Sequence, residues 1–156
     1  MIKFYINFKT TDFVGEAQYL ENELSFYYEP WNNVDFSIII GSSYCSLDVD
    51  LTSGKVLQLT GFNSKKEWIE KTVNVPKALT GELLVKSNDI VFGVGMGVIY
   101  EEEWKTYYDV TNKWICIGNI DYSDECQAVR FADNTIAVVK KNNLWSIWIK
   151  PQFVEE

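Results

Sequence analysis

Short apolar runs rich in Val, Ile, Tyr, Phe and Trp recur along the whole chain, each cut off after a few residues by Asn, Asp, Gly or Lys. That rhythm leaves no stretch for a long amphipathic helix, and nothing else in the sequence limits the fold as strongly. In the run 44–51, Cys45, Leu47, Val49 and Leu51 occupy every second position, with Ser46, Asp48 and Asp50 between them. Successive side chains of a strand point to opposite faces, so this reads as a half-buried strand with its polar residues turned away from the core. Thr52-Ser53-Gly54 turns it, glycine supplying the positive φ that such loops commonly demand. Residues 55–62 return as its hairpin partner.

The same reading places strands over 2–8, 24–29 and 34–40, with Pro30-Trp31-Asn32-Asn33 as a break. Residues 12–23 fit either a short helical turn or another strand. One short helix is expected over 63–71: Ser64 and Glu67 have the spacing of a capping box, Trp68 and Ile69 would pack inward, and Pro76 bars a continuation. A strand follows over 82–86. Val91-Phe92-Gly93-Val94-Gly95-Met96-Gly97-Val98-Ile99 then alternates glycine with apolar residues, leaving one strand face as bare backbone for a sheet bend or a close aromatic neighbour. A phosphate cradle would need a helix after the glycines, and Glu101-Glu102-Glu103 comes instead.

Hairpins fill the last third. Residues 107–110 turn at Thr111-Asn112 into 113–118, and 127–132 turn at Asp133-Asn134 into 135–140. Residues 144–150 pair back across Lys141-Asn142-Asn143, and Pro151 is expected to end the sheet. Trp145 and Trp148, three apart, fall on opposite faces if their strand is regular. With 156 residues, 47% of them hydrophobic, and no linker or low-complexity tract, residues 1–156 are expected to form a single β-rich domain. The expected class is mostly β: a single antiparallel barrel-like sheet or a β-sandwich, with one short helix.

Composition narrows the chemistry by exclusion. Histidine is absent, which removes imidazole as base, relay or metal ligand. Cys45, Cys116 and Cys126 lie far apart with no Cys-x-x-Cys pair, and they read as reduced core thiols of a cytoplasmic protein, a Cys116–Cys126 bridge being the alternative. The first residues lack a secretory signal, and no apolar run approaches the ~20 residues of a membrane span, so no membrane association is expected. Asp48-x-Asp50-x-Thr52 lacks the central glycine and terminal glutamate of a calcium loop. Glu101 to Glu103 beside Trp104, Tyr107 and Tyr108 offer paired carboxylates for glycoside hydrolysis, but a solvated acidic face accounts for them more simply. No catalytic residue, metal or cofactor is expected.

Fourteen Lys plus Arg face 22 Asp plus Glu, a net charge of −8, and Arg130 is the only arginine. A protein that grips phosphate backbones needs a basic stripe, so direct nucleic-acid binding is not expected. Residues 1–60 carry 8 acids against 3 lysines, and 91–130 carry 7 against 3 basic residues. The densest acidic sites are Glu101-Glu102-Glu103, followed by Trp104, and Asp121-Tyr122-Ser123-Asp124-Glu125. Together they are the expected partner-binding surface: Glu101, Glu102, Glu103, Asp121, Asp124 and Glu125 pair with Lys or Arg of a basic partner, while Trp104 and Tyr122 anchor it. Exposed rings at Tyr27, Tyr28 and Trp31 would instead suit a small ligand or a carbohydrate.

Three segments resemble a family. Leu47-Asp48-Val49-Asp50-Leu51-Thr52-Ser53-Gly54-Lys55-Val56-Leu57, the stretch Lys65-Lys66-Glu67-Trp68-Ile69 leading to Val75-Pro76, and the final hairpin from Asn134-Thr135-Ile136-Ala137-Val138-Val139-Lys140 to Trp148-Ile149-Lys150-Pro151 are similar to bacterial immunity proteins. The group is that of contact-dependent growth inhibition and related polymorphic toxin systems. The resemblance covers about half the chain. It implies a cytoplasmic antitoxin, not an enzyme, that binds a cognate toxin protein, frequently a nuclease C-terminal domain, and blocks its active site. It supplies no interface motif, so the interface residues rest on the clustering of acids and rings alone.

Overall fold

The computed structural model describes residues 2–32, 34–41, 44–86, 96–99 and 104–155, the segment 96–99 by its backbone. The chain opens with β1 (Lys3–Phe8), β2 (Glu16–Leu20), β3 (Ser25–Glu29) and β4 (Phe36–Ile40). The ambiguous stretch 12–23 therefore holds a strand, and its period of two explains why: Ala17 and Tyr19 are buried while Glu16 stays outside. Next come β5 (Tyr44–Asp50) and β6 (Lys55–Phe62), the expected hairpin. Asp50 builds its turn. Its carboxylate accepts from Thr52 N–H at 3.1 Å and from the Ser53 hydroxyl at 2.9 Å, and Gly54 takes φ of 78°.

The helix expected over 63–71 is only a 3₁₀ turn at Lys65–Glu67. Ser64 does cap it, its hydroxyl accepting from Lys66 N–H at 3.3 Å. Trp68 then returns to extended backbone, at φ −69° and ψ 143°, and turns inward. Ile69, expected inside, is exposed on β7 (Ile69–Glu70). The remainder comprises β8 (Leu79–Lys86), β9 (Met96–Ile99), β10 (Thr106–Tyr108), β11 (Ile115–Gly118), β12 (Cys126–Ala132), β13 (Thr135–Lys140), β14 (Asn143–Ile149) and β15 (Gln152–Val154). Pro151 does not end the sheet, because β15 restarts beyond it and lies parallel to β2. Of the glycine-alternating run, 91–95 fall outside the described residues, while β9 pairs parallel with β4.

All fifteen strands join one sheet. The longest path is β15-β2-β3-β6-β8-β12-β13-β14-β11-β10-β7, with β1 added to β8 and β5, β4 and β9 branching from β6. Most pairs are antiparallel. Four are parallel, β15 with β2, β4 with β9, β12 with β8 and β10 with β7, so a purely antiparallel sheet is not what forms. The sheet curls into a half-barrel. Its two ends meet through rings: Trp68 lies 4.8 Å from Tyr19 and 5.3 Å from Tyr108, and Phe153 lies 5.8 Å from Tyr108. Burial pushes the Tyr19 phenol up to about 12, so its hydroxyl remains a donor, to the Asn63 carbonyl at 2.7 Å.

The curl creates two apolar regions. Phe4, Ile38, Leu47, Leu59, Leu83 and Ile147 fill the interior. On the outer face, Val73, Cys116, Ile136, Val138 and Trp148 form a second cluster, covered by Val75, Ala78, Ile120 and Trp145. One register row explains the line of it, since Ile136 pairs opposite Trp148 and Trp148 opposite Cys116. Trp145 and Trp148 share this outer side although they are three apart. A bulge between Val138 and Val139, where Ser146 and Leu144 are the successive partners, inserts Trp145 as the extra residue and reverses its direction.

The polar face of β5 also departs from expectation. Asp48 is buried, not solvated, with 2% exposure. Its carboxylate accepts four side-chain hydrogen bonds, from Ser37 (2.9 Å), Ser46 (3.1 Å), Gln58 (3.0 Å) and Thr60 (2.6 Å). Asn32 reaches over the strands to donate to the Gln58 carbonyl oxygen at 3.0 Å. Among the described residues no lysine or arginine pairs with Asp48, so neutral donors alone satisfy its side-chain oxygens.

Asp109 holds down the segment that covers the outer cluster. It accepts from Val73 N–H at 3.1 Å, Thr111 N–H at 2.9 Å and Asn112 N–H at 3.3 Å. The Val73 bond does most to hold its carboxyl below the ordinary 3.8, burial opposing and the other two bonds assisting. With the folded pKa depressed, the stability from Asp109 is complete above the ordinary Asp value and is lost as pH falls through the folded one. Asp109→Asn is thus expected to be less stable at neutral pH and to lose less than the wild type on acidification. Urea midpoints at about pH 7 and about pH 3 check this; equal acid losses in the two proteins would remove Asp109 from the acid response.

Candidate partner-binding surface

The loop 119–125 leaves β11 at Gly118, where φ is 109° and an added Cβ would meet the Trp145 carbonyl at 3.0 Å and Ser146 Cα at 3.2 Å. Only glycine lets the chain turn so close to β14. Asn119 then binds the Trp145 carbonyl through its backbone N–H at 3.2 Å and its side-chain amide at 3.0 Å. The Trp145 indole N–H donates to the Asp121 carbonyl at 2.7 Å. Tyr122 donates its hydroxyl to the Asn74 carbonyl at 2.8 Å and sets its ring edge-on to Trp148 at 6.1 Å. Cys126 N–H closes the loop onto the Ser123 carbonyl at 3.0 Å.

The backbone is therefore tied to the half-buried Trp145 and the ring to the buried Trp148, while the carboxylates are not tied to anything comparable. Asp121, Asp124 and Glu125 are exposed, and Tyr122 keeps 38% of its surface in solvent. Glu125 meets Lys141 at 4.0 Å, with both side chains well exposed, a contact of little energetic weight. Among the described residues Asp121 and Asp124 form no ion pair. A cleft of about 250 Å³ adjoins Glu125, with Tyr5, Gln127, Val139 and Asn142 in its walls. Asn142 seals one side, its amide donating to the Phe4 carbonyl at 2.9 Å while Phe4 N–H donates to the Asn142 carbonyl at 2.9 Å. Lys141 lines the cleft opposite Glu125, so the excess negative charge of this surface comes from Asp121 and Asp124, which suits a cationic side chain with an apolar stem.

Asp121, Tyr122, Asp124 and Glu125 thus share one surface. Trp104 does not: it is buried at 6%, its Cβ and ring 3.2 Å from the Cβ positions that side chains at Gly41 and Gly118 would occupy. It is a core residue of the curled sheet and not an exposed anchor. Glu101, Glu102 and Glu103 lie outside the described residues. Tyr5, Gln127 and Lys141 were missed in the sequence, where their one signal is a position opposite Phe4 for Tyr5 and a turn for Lys141.

Of the alternative rings, Tyr28 is buried at 3% and spends its hydroxyl on the Val14 carbonyl at 2.8 Å. Tyr27 and Trp31 stack on each other at 5.6 Å, Trp31 exposed, away from the strands that carry the acidic loop. The cysteines are free thiols, with no Cys116–Cys126 bridge. Burial raises the Cys116 thiol far above its ordinary value, which makes it unreactive. Among the described residues no cluster of His, Cys, Asp or Glu is arranged to hold a metal ion, and no helix is long and apolar enough to cross a membrane. The chain matches no protein-family model, and no curated protein matches it.

Proposed function

We propose that the protein is a non-enzymatic antitoxin of the immunity type, acting in the cytoplasm by binding a basic toxin domain, a nuclease in the first instance. The observation that carries this reading is the fixed loop of Asp121, Tyr122, Asp124 and Glu125, with exposed carboxylates on an anchored backbone. An anchored backbone loses little freedom on docking, and its acids attract a basic surface over a Debye length of about 8 to 10 Å and raise the capture rate. Tyr122, half sunk against Trp148, would supply the rigid ring contact at the centre. Blocking the toxin requires only that this surface cover its cationic substrate site, so no catalytic group is needed.

The tagged protein is expected to retain a basic toxin domain from the lysate of a toxin-expressing source at low salt and to release it as salt rises. With that domain in hand, Asp121→Lys combined with Asp124→Lys should slow association about tenfold at low salt and flatten its salt dependence. An unchanged association rate would remove the loop from the interface. Retention of no basic protein would overturn the antitoxin reading.

A further inference from the structure

Strand β12 starts at the acidic loop, and at its far end, about 20 Å along the strand, a separate cleft opens at the mouth of the half-barrel. Its volume is about 240 Å³, and it is open to solvent on one side. The half-buried Phe13 and the inner rings Tyr28 and Phe131, which show only a small part of their surface, line it together with Val14, Lys9, Lys55 and Glu82. Barrel mouths are a common place for small-molecule sites, because side chains from several strands converge there around a volume the core does not fill.

The charge at this edge is uneven. Lys55 Nζ lies 3.2 Å and Lys9 Nζ 3.7 Å from the same Glu82 oxygen, and the other Glu82 oxygen accepts from the Asn7 amide at 2.9 Å. One carboxylate is thus shared between two ammonium groups, each with three N–H donors. Among the described residues no other acidic side chain lines the cleft, so its described lining carries a surplus positive charge in a protein of net charge −8. Most neutral polar groups are engaged elsewhere, the Thr11 hydroxyl donating to the Lys9 carbonyl at 3.4 Å. The Tyr28 hydroxyl donates to the Val14 carbonyl and accepts from Asp133 N–H at 3.4 Å, while the Asn32 amide donates to Gln58. The cleft therefore has cationic donors at its rim, rings at its base and few hydroxyl-binding groups.

We infer that this cleft binds a small organic carboxylate with an aromatic or aliphatic body, its carboxylate bridging Lys9 and Lys55 and its body lying against Phe13 and Val14, over the edges of Tyr28 and Phe131. A polyphosphate does not fit as well, since only two lysines face it and Glu82 opposes a second negative charge. A sugar finds few partners for its hydroxyls beyond Thr11 and Asn32. The site is independent of the acidic loop, which lies at the other end of β12, so the two surfaces can be occupied together.

The test uses 3-phenylpropionate and its uncharged amide, 3-phenylpropanamide, titrated into the full chain while the backbone amide resonances of Gly81, Phe131 and Ala132 are followed by NMR. Saturable shifts with the carboxylate are expected, with the amide at least about tenfold weaker. Lys55→Met should weaken carboxylate binding about tenfold, and Glu82→Gln, which frees both lysines and keeps an acceptor for Asn7, should tighten it several-fold. The opposite signs separate ligand recognition from loss of folding, because a damaged cleft weakens in both variants. Absence of saturable shifts with 3-phenylpropionate, equal affinity for acid and amide, or weaker binding in Glu82→Gln would each overturn the assignment.

Discussion

Asp48→Ala is expected to destabilise the protein by about 3 kcal/mol, the consequence of a buried carboxyl group held by four neutral donors. Removing it leaves the amide of Gln58 and the hydroxyl of Thr60, both buried, without their acceptor. Gln58 has no easy way out: its carbonyl oxygen is already used by Asn32, so the amide cannot flip to find another partner. Asp48→Asn preserves the shape but brings an NH₂ group against donors, and should cost about 2 kcal/mol. In a chain of this length about 3 kcal/mol corresponds to a fall in Tm of roughly 6 to 12 °C. Urea unfolding gives the direct comparison, and a loss below about 1 kcal/mol for Asp48→Ala would mean that water replaces the carboxylate at little cost.

Trp148→Ala should cost about 3 to 5 kcal/mol and disturb the acidic loop as well. The indole is fully buried in the outer cluster, with its N–H on the Ser146 hydroxyl at 3.0 Å and the Tyr122 ring edge-on at 6.1 Å. Truncation opens a cavity under Tyr122, which then loses the wall that sets its ring. Amide hydrogen exchange over 119–126 is expected to accelerate beyond what the global loss of stability explains. Trp148→Phe keeps most of the packing and should keep the loop protected. If exchange in the loop changes only in step with global stability, Trp148 is a core residue with no part in ordering the surface.

These two residues also show where reading from sequence runs out. The β5–β6 hairpin was legible because its information is local: alternation over 45–51, a glycine at the turn and Asp50 to cap it. The same alternation put Asp48 outside with Ser46 and Asp50, and that placement is right for direction but wrong for environment. Burial of the outward face depends on Asn32, brought over from another segment. Trp145 and Trp148 failed for a related reason, since a bulge is decided by the partner strand. Helix signals at Ser64 and Glu67 gave a cap but no helix, because Trp68 gains more by joining Tyr19, Tyr108 and Phe153 in the seam than by continuing a turn.

For the candidate surface, the acids 121, 124 and 125 and Tyr122 were singled out from composition, which records charge whatever the topology, and the structure leaves them exposed. Trp104 was misplaced because a ring next to acids in sequence is not next to them in space; two glycines open room for it in the core. Tyr5 and Lys141 joined the surface only when β1 docked on the turn after β13. The sequence by itself determined the strand class, most turns, the charge and the absence of imidazole chemistry, since period, turn preference and composition act within a few residues. Tertiary structure alone decided which outward faces are sealed, which tryptophans share a side and which distant residues border the clefts. Burial and adjacency are properties of segments far apart in the chain, and they exist only once the sheet has curled and its covering segments have closed over it.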